Sequence, residues 1–66
     1  MNITLNGEAS EIANQLNVTQ LLNDLSLMPA KVAVEVNLQI VPRSVYSKTI
    51  IKDGDRIEIV RFIGGG

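Results

Sequence analysis

At 66 residues, 45% hydrophobic and 20% charged, the chain has material for one small domain, near the lower size at which a single apolar core can hold a fold. Cysteine and histidine are both absent, which excludes disulfides, thiolate zinc sites, a side-chain persulfide and histidine-based acid–base or metal chemistry. The formal net charge is −1, and Lys31, Arg43, Lys48, Lys52, Arg56 and Arg61 are scattered along the chain, whereas a nucleic-acid surface needs its basic residues gathered.

Met1, Ile3 and Leu5 alternate with Asn2, Thr4 and Asn6, the period of a strand with one buried face. Asn6-Gly7 follows, a dipeptide suited to a tight hairpin because both of its residues tolerate positive φ, and a return strand over Glu8 to Ile12 completes the pair. Val18, Leu21, Leu22 and Leu25 then share one helical face. Asn17 or Thr19 can cap that helix, Gln20 stands where a capping box places it, and Pro29 requires the helix to end earlier. From Lys31 the period returns to two, with Val32, Val34 and Val36 on one side and Ala33, Glu35 and Asn37 on the other. A short strand at Gln39 to Val41, closed by Pro42, a turn at "KDGDR" (Lys52 to Arg56) and a last strand to Phe62 complete the pass. The expected class is α+β, one helix packed across a small sheet.

In the last strand Ile57, Ile59 and Arg61 point one way, and Glu58, Val60 and Phe62 the other. If the helix covers Ile57 and Ile59, Val60 and Phe62 stand exposed as a partner surface; a bulge would instead turn Phe62 to the core edge, and the pattern favours neither. No apolar run approaches the ~18 residues of a membrane helix, and "MNITLNGEA" lacks the marks of a signal peptide. The expectation is a soluble cytoplasmic protein without nucleic-acid or membrane partners.

Little catalytic chemistry is available. Asp53 and Asp55 are too few for a calcium loop and read better as an acidic turn. Glu8 with Glu11, or Glu35 with Glu58, could meet across strands, though solvated faces explain them equally. The final "GGG" leads into no helix that could receive a phosphate. The remaining reactive group is the carboxylate of Gly66. Ile63 and the three glycines, extended, would carry it roughly 13 Å beyond the sheet at ~3.3 Å per residue, thin enough for a narrow channel. Joined to a leaving group such as AMP, this carboxyl would accept a nucleophile. A terminus with no role is the plain alternative.

"VNLQIVPR" at Val36 to Arg43, "KDGDRIEIV" at Lys52 to Val60 and the ending "FIGGG" together resemble the ThiS family, the sulfur carriers of thiamine biosynthesis. The resemblance covers essentially the whole chain. It implies a ubiquitin-like β-grasp domain over residues 1–63, a mixed sheet on one main helix, with residues 64–66 as a flexible tail. It also implies a protein co-substrate and not an enzyme. A ThiF-type adenylyltransferase, using ATP and magnesium, would convert the Gly66 carboxylate into an acyl-adenylate. Sulfur from a persulfide donor would displace AMP to leave a thiocarboxylate, and a ThiG-type thiazole synthase would take that sulfur into the thiazole ring. Gly65 and Gly66 match the family's terminal pair, with Gly66 the modified residue. Val60, Phe62, Ile63 and Gly64 become the partner-binding candidates, and neither metal nor bound cofactor is expected. The competing readings are the small subunit of molybdopterin synthase, which shares fold and ending, a ubiquitin-like modifier of lysines, and a β-grasp interaction module with an inert tail.

Overall fold

The computed structural model describes residues 1–62. Strands β1 (Asn2–Leu5) and β2 (Glu8–Glu11) are joined by Asn6-Gly7 at φ 49° and 82°, the left-handed pair that a two-residue I′ hairpin requires. The helix α1 (Val18–Asp24) opens with the anticipated capping box: Asn17 Oδ1 accepts from the Gln20 amide at 2.8 Å, and Gln20 Oε1 accepts from the Asn17 amide at 2.9 Å. The helix ends before Pro29, as expected, at a stop that no glycine marks. Ser26 takes the left-handed position at φ 59°, its amide donates to the Asn23 carbonyl at 3.0 Å, and the Leu27 amide donates to the Leu22 carbonyl at 2.8 Å. Those two bonds make a Schellman stop. Leu25, expected on the buried helical face, is therefore the C-cap and lies exposed at the margin.

Strands β3 (Val32–Val36) and β4 (Gln39–Val41) form a second two-residue hairpin through Asn37 and Leu38, at φ 52° and 69°. A 3₁₀ turn, Pro29–Lys31, leads into β3, and a longer 3₁₀ segment, Arg43–Lys48, follows β4 and places Tyr46 in the core. Strand β5 (Arg56–Arg61) ends one residue before the predicted Phe62.

The sheet order is β2-β1-β5-β3-β4, with β1 and β5 parallel and the other pairs antiparallel. Helix α1 lies across one face, which is the ubiquitin-like β-grasp arrangement. Between them sit Ile3, Val18, Leu21, Leu22, Val32, Val34, Tyr46, Ile51 and Ile57, an almost purely aliphatic core with no buried polar side chain among the described residues. Among those residues, no helix is long and apolar enough to cross a membrane.

Candidate functional site

Strand β5 connects the core to the tail. It lies between β1 and β3: β3 pairs it from Ile57 to Arg61, β1 pairs its first two residues, Arg56 and Ile57, and its alternation separates two faces. Ile57 is fully buried and Ile59 half-buried beneath the helix, whereas Val60 is 61% and Phe62 56% exposed on the opposite face. No bulge intervenes: the antiparallel register with β3 runs unbroken from Val36↔Ile57 to Val32↔Arg61. The Phe62 amide donates to the Lys31 carbonyl at 3.0 Å, which fixes the last described residue against the start of β3.

The "KDGDR" turn is held from several directions. The Asn2 amide donates to Asp53 Oδ1 at 2.7 Å, the Lys52 amide to Asp55 Oδ2 at 2.8 Å, and Asn37 Nδ2 to Asp55 Oδ1 at 3.0 Å. Gly54 sits at φ 86°. Both carboxylates thus serve the turn, and Asn37 Oδ1 accepts from the Arg56 amide at 2.9 Å to align the first residue of β5. Asn6 does the same further along, its Oδ1 accepting from the Ile59 amide at 2.8 Å. These two hairpin asparagines combine a tolerance of positive φ with a side-chain acceptor for β5. In the sequence only Asn6 carried a turn signal, through Gly7.

Two further exposed apolar residues, Leu38 at 68% and Ile40 at 75%, lie at the β3–β4 hairpin, and sequence reasoning did not include them. Ile40 stands opposite Glu35, and Glu35 stands opposite Glu58, so one row crosses β4, β3 and β5 on the open face. The next row holds Ala33 opposite Val60. Glu8 and Glu11 do not face each other; their partners are Leu5 and Asn2. Two hollows, of about 380 Å³ between α1 and the first hairpin and about 220 Å³ beside Ile59 and Arg61, lie on the helix side of the sheet and include neither Val60 nor Phe62. The candidate surface is an open sheet face, and Ile63, Gly64, Gly65 and Gly66, the other candidate residues, lie outside the described residues.

The comparisons with known proteins agree with this architecture. The chain is 38% identical to the sulfur carrier protein ThiS of Escherichia coli over 66 residues, the full length of both. It superimposes with a TM-score of 0.86, at 42% identity and full coverage of both chains, on the crystal structure of a thiamine biosynthesis protein (ThiS) from Geobacter metallireducens. It is also 47% identical over its whole length to a thiazole synthase of Paramagnetospirillum magneticum, but spans only 20% of that protein's length. The ThiS family profile matches residues 3–66, and the chain belongs to the ThiS family.

Proposed function

We propose that this chain is a sulfur carrier of thiamine biosynthesis and bears its cargo as a thiocarboxylate on Gly66. The observation that carries this reading is the end-to-end match with the E. coli carrier, in a chain that has no cysteine to hold sulfur elsewhere. A Gly66 carboxylate oxygen attacks the α-phosphorus of ATP on a ThiF-type adenylyltransferase with magnesium, and pyrophosphate leaves. The terminal sulfur of a persulfide donor then attacks the acyl carbon, and AMP leaves. A thiol cleaves the resulting S–S bond, becoming the oxidised half of a disulfide, and the thiocarboxylate remains on Gly66. Gly65 and Gly64 contribute slimness, since without β-carbons the chain can enter a narrow active site. Val60, Phe62 and Ile63 supply the grip. This chain acts as a co-substrate and holds no cofactor of its own.

The occurrence of such a domain as a fifth of a protein named thiazole synthase supports the thiazole ring as the destination of the sulfur, ahead of molybdopterin. The test is an intact mass after incubation with ATP, magnesium, a ThiF-type enzyme and a persulfide source. The expected gain is the exchange of one oxygen for one sulfur, absent when Gly66 is deleted. An unchanged mass, with the enzyme active on its own carrier, would overturn the reading.

A further inference from the structure

On the open sheet face, Glu35 of β3 and Glu58 of β5 are direct partners in the antiparallel register. Like charges in that position lie within about 5.5 Å at the β-carbons and oppose pairing of the strands. Both side chains are half-buried, with apolar neighbours on two sides, Ile40 in the same row and Ala33 and Val60 in the next with Phe62 beyond, while Asn37 and Arg56 flank the pair on the other side. Only one of the two carboxylates has a counter-ion. Arg56 Nη2 reaches Glu58 Oε1 at 3.3 Å, the sole ion pair among the described residues, and no cation stands within ion-pair distance of Glu35. The sequence breaks a local pairing rule here without an internal gain, which is where recognition is to be sought.

Charge complementarity selects the occupant. A second copy of the chain, packed two-fold on this face, would bring two Glu35–Glu58 rows together with each Arg56 already engaged by its own Glu58, so self-pairing is disfavoured. We propose that the face formed by β3, β4 and β5 docks a partner protein whose apolar surface carries an arginine, the guanidinium set against Glu35 and Glu58. A planar guanidinium has donors for both carboxylates, and bringing it to the row removes their mutual repulsion. The face adjoins the Phe62–Lys31 bond, and Phe62 is four residues from Gly66 in sequence, so a protein that receives Gly66 comes near it. The inference rests on the proposed function for the partner's identity, the ThiG-type thiazole synthase.

The test is calorimetric titration of the synthase with wild-type chain, Glu35→Gln and the double variant Glu35→Gln/Glu58→Gln, at low and high salt, with the thermal midpoint of each free chain. The expected result is opposite in sign for binding and stability: affinity at least 10-fold lower for the double variant, with a shallower salt dependence, while its thermal midpoint is unchanged or higher. Glu35→Gln, which leaves the Arg56 pair intact, should already show part of the loss. Equal or tighter binding by the double variant would overturn the inference and leave the carrier reading standing, because sulfur loading is read separately by mass. A wild-type chain that forms thiocarboxylate but does not bind the synthase would overturn this inference and the assigned acceptor together, while leaving the carrier chemistry. Self-association strengthened by the glutamines would likewise overturn it, by showing a second copy as the occupant.

Discussion

Ile57 of β5 and Phe62, the residue after its end, lie five positions apart on opposite faces and should respond to truncation in opposite ways. Ile57 is fully buried against the helix, so Ile57→Ala removes apolar contacts and leaves a cavity, at a cost of about 2–5 kcal/mol. For a 66-residue domain, with roughly 0.05–0.15 kcal/mol of stability per residue, the whole reserve is only ~3–10 kcal/mol, so this variant loses a large part of its folded population. Phe62 is 56% exposed; less than half of the ~1.5–3 kcal/mol available from burying such a side chain is realised, so Phe62→Ala costs about 1 kcal/mol or less. Urea unfolding followed by far-ultraviolet circular dichroism measures both, and binding to a thiazole synthase tests the partner role proposed for Phe62. The expectation is a near-native midpoint and weakened binding for Phe62→Ala. A midpoint as low as that of Ile57→Ala would show that Phe62 belongs to the core, and the division of β5 into a core side and a partner side would be wrong.

Asn17→Ala removes the 2.8 Å cap to the Gln20 amide, and Gln20 loses its reason to face the start of the helix; thermal unfolding should report a loss of about 1 kcal/mol. Leu38→Asn should raise stability by up to ~1 kcal/mol in the same assay, because a leucine at φ 69° carries left-handed strain that asparagine tolerates and its 68% exposure leaves little burial to lose.

The strand periodicities and Asn6-Gly7 made most of the sheet legible, since each is a local signal read within a few residues. What stayed hidden depends on residues far apart in the chain. Asn37 and Leu38 form a hairpin that needs two positive φ values with no glycine to announce it, and Asn37 is held in place partly by Asp55, 18 residues later. The 3₁₀ segment around Tyr46 has no apolar period of its own and exists because one aromatic ring fills the core. Ser26 ends α1 by backbone bonds that any residue tolerating a positive φ can make. At the candidate site, parity alone separated Ile57 and Ile59 from Val60 and Phe62, but whether the second pair was exposed depended on an unbroken register with β3. The same register turns Glu35 and Glu58 from two scattered acids into one pair, and brings Ile40 into their row.

On the proposed function the reactive group is a backbone carboxyl, which needs no cleft of its own; the fold would instead deliver one strand end in a fixed place to larger proteins. The central position of β5 meets that need. A parallel neighbour, β1, and an antiparallel one, β3, hold its backbone, and the side chains of Asn37 and Asn6 accept from the Arg56 and Ile59 amides. An edge strand, with one row of amides unpaired, would be free to shift or to pair with another chain. Pairing on both sides at Arg56 and Ile57 removes that freedom at the start of the strand, and β3 continues to hold it as far as Arg61, while the face opposite the helix is left uncovered, so Val60 and Phe62 are displayed by the same backbone that Ile57 anchors. In this arrangement recognition and stability are separable residue by residue along one strand, and a partner can grip the open face without drawing on the small aliphatic core that keeps the domain folded.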